Sequence, residues 1–316
     1  MTSSMLIGNA RIDIMIEKSD RQLPAKDIFR WVQSAAESVT AYYGRFPVSH
    51  LLIRITPFEG KGVRNGMTFG DRGGRITIRV GNETSASELA SDWMMTHEMV
   101  HLAFPSVDDR HHWIEEGIAT YVEPIARVRA GQLSVDQMWF DLVRDMPQGL
   151  PQVGDRGLDH THTWGRTYWG GALFCLLADI EIRRQTNNAK GLEHALRGIL
   201  DAGGDIREEW NLEDALMAGD RATGTNALEP LYENMRDKPV RVDLDALWLQ
   251  LGVQSSGASV RFDDSAKLAA IRRAITSGES TSSEKQSLFP KPAAVFAGRT
   301  SGTRSWIWRG EQHAPR

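Results

Sequence analysis

The chain has 316 residues, 41% of them hydrophobic and 25% charged, with a formal net charge of −4. That is the composition of an ordinary globular protein, long enough for one large or two small domains, and its charge gives no electrostatic case for nucleic acid or an acidic membrane surface. No run is long and apolar enough to span a bilayer, and a single cysteine, Cys175 in an apolar stretch, excludes an internal disulfide and reads as a small core residue.

Residues 1–10 lack a basic segment followed by an apolar run. The expectation is therefore no signal peptide and a cytoplasmic location, unless the true start lies upstream and the protein is exported. Residues 5–17 alternate around Ile12, Ile14 and Ile16 as one strand. Pro24 opens a helix to about residue 43, with Ile28, Trp31, Val32, Ala35 and Val39 inward, and Gly44 stops it. Residues 51–56 make a strand ended by Pro57, and residues 59–64 a loop rich in glycine and charge. Two more strands, 67–69 and 75–80, are joined through a turn at 70–74. The first 80 residues thus build a small sheet.

Ser85-Ala86-Ser87-Glu88 reads as a capping box. Leu89, Trp93, Met94, Val100 and Phe104 continue at helical spacing until Pro105, which predicts one helix of about five turns. It carries His97-Glu98-Met99-Val100-His101. Histidines at i and i+4 share a helix face and can meet one metal ion, and Glu98 can take a proton from water at the same site. A third protein ligand would leave zinc one open position, as catalysis requires. Asp108, Asp109, His111 and His112 compete for that place. The longer metzincin pattern is excluded, because Phe104 and Val107 stand where it needs glycine and histidine. Glu116 is preferred over Glu115: with Ile114, Gly117, Ile118 and Tyr121 inward, it lies beside a glycine that permits close backbone approach, whereas Glu115 faces solvent or a secondary partner.

Ser134 caps a helix containing Met138, Trp139, Leu142 and Val143. A loop comes next, over 147–164, with His160 and His162 either at a cleft rim or donating to an oxyanion. Residues 167–186 are a strongly apolar helix in which Gly170 and Gly171 permit close contact, Tyr168 can project into the cleft, and Asp179 is a buried acceptor. Short helices at 191–200, 212–218, 228–234 and 244–251, a strand at 259–262 and a helix at 265–275 complete a helical bundle. Residues 277–316 turn to Ser, Gly, Pro, Arg and Lys without periodicity and read as a disordered tail.

His97-Glu98-x-x-His101 followed by Trp113-x-x-Glu116-Gly117-x-Ala119-x-Tyr121-x-Glu123 resembles the gluzincin metallopeptidases, with the aminopeptidase N-like and glycyl aminopeptidase branches nearest. Tyr168-Trp169-Gly170-Gly171-Ala172-Leu173 resembles the helix after the zinc site in the second branch. The resemblance covers roughly residues 50–275. It implies an α+β fold: a thermolysin-like zincin catalytic domain, its sheet and zinc-site half over 1–130, then an α-helical subdomain over 131–276. It implies Zn2+ on His97, His101 and Glu116, Glu98 as general base, and Tyr168 as donor to the transition state. The substrate would be a peptide or protein, with no nucleic-acid or membrane partner. Glu123, beyond Glu116 on the same helix, either orients a metal-bound histidine or is a solvated charge.

In this family the strand before the zinc helix edges the cleft and pairs with extended substrate; Gly66, Met67 and Thr68 lie on the corresponding stretch, where a plain hairpin is the competing reading. The aminopeptidases carry Gly-x-Met-Glu-Asn there, its glutamate holding the substrate's amino group. This chain has Asn65-Gly66-Met67-Thr68-Phe69, with no carboxylate after Met67. That departure bears on aminopeptidase specificity rather than on hydrolysis, and it keeps a second reading open: a zinc-binding module that holds peptide without turning it over.

Overall fold

The sheet starts with a hairpin. In a computed structural model, which describes residues 2–18, 23–70 and 73–277, Gly8 adopts φ 56° and turns the chain between β1 (Thr2–Ile7) and β2 (Ala10–Ile16). Glycine takes that conformation without a Cβ clash. The single strand expected over 5–17 is therefore two, paired antiparallel. From β2 the chain runs through α1 (Ala25–Tyr43), which Gly44 ends in the left-handed conformation, to β3 (His50–Phe58). β3 lies parallel to β2 and to β5 (Gly74–Gly81). Pro57 does not end β3: the β2 ladder stops at Ile16–Ile55, so no hydrogen bond on that side asks for the missing N–H. β4 (Val63–Phe69) pairs antiparallel with β5, giving the order β1-β2-β3-β5-β4 with β4 at one edge.

Alternation decides which face is buried. Ile12, Ile14, Ile53, Ile55, Ile76, Ile78 and Val80 point inward and share one apolar core with Ile28, Trp31, Val32, Ala35 and Val39 of α1.

The long helix expected over 85–104 is broken. The capping box forms as read, with Ser85 and Glu88 exchanging hydrogen bonds, but it opens only the short α2 (Ala86–Ala90). Asp92 then accepts from the N–H of Met95 at 3.2 Å and from Trp31 Nε1 at 3.1 Å, so the chain restarts as α3 (Met94–His101). An aspartate that satisfies free N–H groups competes with helix continuation and favours a new start. The motif occupies α3 alone.

α4 (His112–Arg129) crosses α3 and packs along α6 (Gly171–Gln185). A Cβ added to Gly117 would sit 2.4 Å from the Cα of Gly171, so the two helices meet through bare backbone. Ser134 caps α5 (Val135–Asp145), accepting from Gln137 N at 3.1 Å. Beyond α6 come α7 (Leu192–Asp201), α8 (Leu212–Thr223), α9 (Leu228–Met235) and α10 (Leu244–Leu251). Residues 253–262 form a hairpin, β6 (Val253–Ser256) and β7 (Ser259–Phe262), of which the sequence suggested only the second strand. α11 (Ala269–Ser277) starts later than residue 265, because Asp263 accepts from Ser265 N and holds a turn there.

Buried charges tie these helices together. Asp179 accepts from Tyr121 Oη, Arg183 Nε and Leu192 N, and Glu193 lies 2.9 Å from Arg183 and 3.2 Å from Arg129. Asp179 is thus the buried acceptor its position suggested, and Cys175 is buried in the core. No helix among the described residues is long and apolar enough to cross a membrane. The expected tail lies, from residue 278, outside the described residues.

Candidate metal centre and active site

α3 sets His97 and His101 one turn apart, their rings 4.9 Å between centroids. α4 brings Glu116 against both: its Oε2 is 3.1 Å from His97 Nε2 and 3.6 Å from His101 Nε2. One donor atom from each of the three residues lies within 4.8 Å of the others. Two imidazole nitrogens and a carboxylate oxygen are the donor set of catalytic zinc, and tetrahedral bonds of about 2.0–2.1 Å put ligand atoms about 3.3 Å apart. The set therefore fits zinc, and it is the one such cluster among the described residues. Glu116 has its place because Gly117 beside it packs directly on Gly171.

Among the competing ligands, His111 is buried elsewhere, with its Nδ1 3.0 Å from Asp159 Oδ1. Asp108 accepts from Arg110 N. His112 stands at the rim with Nδ1 3.0 Å from Glu115 Oε2 and Nε2 3.4 Å from Glu116 Oε1. Glu115 also accepts from Val107 N at 3.3 Å. The two oxygens of Glu116 therefore face different partners, one the paired imidazoles and the other His112.

The electrostatics follow from burial. Burial would raise the Glu116 carboxyl, but His101, His97 and His112 hold it down at about 2. Burial pulls His101 down to about 4. At His97 burial acts in the same direction, yet the hydrogen bond and charge of Glu116 outweigh it and the net shift is upward. Glu98, 6% exposed, is pushed by burial up to about 7, against the opposing His97 charge and a hydrogen bond from Thr68.

Tyr168 lies over the same site. Its ring stacks on His97 at 6.3 Å between centroids and on Trp164 at 5.5 Å. Burial, then the charges of Glu116 and Glu98 and a hydrogen bond to Glu116, raise its pKa, so the phenol keeps its proton as a donor. The residue sits in a single π-type turn, Arg166–Gly170, ahead of α6. Such turns store an irregularity that sites often use to aim a side chain. Buried Arg166 anchors this one, pairing with Asp155 at 2.7 Å and donating to the Gly149 carbonyl.

Of the β4 residues, Thr68 donates to Glu98, Gly66 abuts the same carboxylate, and Met67 is 55% exposed. Glu123 is buried, its carboxylate 2.9 Å from Arg127 Nη1, and its charge reaches His97; it is not a solvated charge. His160 is held 2.7 Å from Asp237, and His162 is exposed. Trp164 and the rim position of His112 are not foreseen by the sequence. An isolated tryptophan in a loop carries no periodic signal, and His112 stands out in the sequence only as a possible metal ligand.

No protein-family model matches the chain, and no curated protein matches it. Solved structures do match. An aminopeptidase N family protein from Idiomarina loihiensis superposes with a TM-score of 0.60 at 10% identity, over 80% of this chain and 49% of its own. A substituted M1 zinc metallopeptidase from Deinococcus radiodurans, bound to a Tyr-Ser-Ala substrate, gives 0.50 at 13% identity over 77% and 53%. The chain spans about half the length of these structures. The α+β architecture is that of the aminopeptidase N family structure, the fold that the resemblance implied.

Proposed function

We propose that this chain is a zinc-dependent peptidase. The observation that carries the reading is the convergence of His97, His101 and Glu116 on one point, with Glu98 buried beside it. Bound there, zinc supplies Lewis acidity, polarising a carbonyl and lowering the pKa of a water towards about 7.

The chain's own residues do the rest. Glu98 takes a proton from the attacking water on its carboxylate and returns it to the leaving amine nitrogen. The Tyr168 hydroxyl donates to the oxygen that becomes negative as the carbonyl is attacked; a donor of this kind contributes about 2.7–4 kcal/mol to the transition state. The free edge of β4 at Met67 and Thr68 would offer an extended peptide main-chain hydrogen bonds by strand addition, while the Gly66 N–H is already engaged by Met94 Sδ at 3.3 Å. Glu123 acts on His97 through its charge rather than as a ligand. The peptide held by the Deinococcus radiodurans structure supports a peptide substrate.

One observation favours the alternative, a zinc-binding module that holds peptide without cleaving it: no carboxylate follows Met67 on β4, where Thr68 faces Glu98 instead. The two readings separate on a diverse peptide mixture incubated with zinc-loaded protein, with and without chelator, and read by mass spectrometry. Peptidase action predicts chelator-sensitive cuts that Glu98→Gln abolishes while zinc stays bound. Stoichiometric zinc with no cut at all would leave the binding module.

A further inference from the structure

The hydroxyl of Thr68 lies 2.7 Å from Glu98 Oε2 and 2.9 Å from the Glu98 carbonyl oxygen. It has one hydrogen to give. An ionised carboxylate is the stronger acceptor, and here also the shorter contact, so the hydrogen goes to Oε2. We propose that Thr68 is a positioning residue for Glu98, fixing the orientation of the carboxylate that exchanges protons with water and leaving group. The assignment deepens the peptidase reading and rests on it.

Strand β4 is shaped to aim this side chain. Residues directly opposite in an antiparallel pair share a face. Val63 lies opposite Val80 and Thr68 opposite Ile76, both partners being buried on the inner face. Unbroken alternation from Val63 would send residues 65, 67 and 69 inward and turn Thr68 to the outer face. The register shift between Arg64 and Met67 inserts one residue, with Asn65 at φ 52°, and reverses that parity. Thr68 consequently points at Glu98, and Met67 is left exposed on the outer face.

Gly66 completes the arrangement. A Cβ at that position would lie 2.5 Å from Glu98 Oε1. The carboxylate is thus held at Oε2 by a hydroxyl and bordered at Oε1 by a residue with no side chain, which leaves room for the carboxylate in this orientation. A base misplaced by about 1 Å loses roughly a hundredfold in rate, which sets the scale of what the hydroxyl contributes.

The test compares the zinc-loaded parent with Thr68→Val, which keeps shape and removes the hydroxyl, and Thr68→Ser, which restores it. On a peptide found in the mixture experiment, Thr68→Val should lower kcat by about 10- to 100-fold with KM within about twofold. Its zinc content should be unchanged, and Thr68→Ser should recover most of the loss. Crystal structures of the three proteins give a second readout, with the Glu98 carboxylate displaced in the valine variant and returned in the serine one. A valine variant that turns over like the parent, or a serine variant as slow as the valine one, overturns the assignment. A parent that cuts no peptide refutes the peptidase reading instead; the Glu98 position then decides on Thr68 by itself, and an unmoved carboxylate in all three structures ends the proposal.

Discussion

Gly117 of α4 and Gly171 of α6 touch backbone to backbone. A side chain on Gly117 would reach within 2.4 Å of the Gly171 Cα, and one on Gly171 within 2.1 Å of the Trp113 carbonyl oxygen. This contact sets the depth at which α4 presents Glu116 to the two histidines, so core packing and metal geometry depend on the same pair of residues. Gly117→Ala should therefore cost about 1–3 kcal/mol of unfolding free energy, as overpacking does. It should also weaken zinc binding, because Glu116 must shift with its neighbour. Denaturant melts and a competitive zinc titration measure both; a stable variant with parental zinc affinity would show that the helices have room to move.

Tyr168→Phe tests the oxyanion donor. The ring keeps its stacking contacts with His97 and Trp164 and only the hydroxyl is lost. Steady-state kinetics should show kcat reduced by about a hundred- to a thousandfold, with zinc content unaltered. A phenylalanine variant as fast as the parent would remove Tyr168 from the reaction.

The break between α2 and α3 makes a pH-dependent prediction. Burial raises the Asp92 carboxyl from 3.8 to about 6, against the hydrogen bonds from Met95, Met94 and Trp31. The folded chain thus holds this proton more tightly than the unfolded one. The associated stability is complete below pH 3.8 and is lost as pH rises through about 6. Asp92→Asn keeps an acceptor for Met95 and removes the charge. Its advantage in unfolding free energy over the parent should be larger at pH 8 than at pH 5 by about 1 kcal/mol, solvent screening of this half-buried group included. An advantage equal at the two pH values would contradict the shift.

Much of this site was legible because it obeys local rules. Histidines four apart on a helix share a face whatever surrounds them, and Gly117 marked the close approach that seats Glu116. Features that depend on a partner were not legible. The apolar period runs unbroken through Ser91 and Asp92, so the end of α2 shows only once Trp31, far away in sequence, is seen donating to Asp92. The Gly8 turn hid inside an alternating run that suits one strand as well as two. The face taken by Thr68 depends on an inserted residue that exists only relative to β5. Sequence alone therefore placed Gly66, Met67 and Thr68 together at a substrate edge, whereas their side chains divide between Glu98 and solvent.

The central claim is that His97, His101 and Glu116 hold one zinc ion. Elemental analysis of purified parent, His101→Ala and Glu116→Ala after zinc loading and desalting tests it most directly, with circular dichroism to verify folding. About one zinc per parent chain is predicted, and almost none in either folded variant, since a two-ligand remnant retains the ion poorly. A folded Glu116→Ala variant that keeps a full equivalent of zinc would contradict the claim.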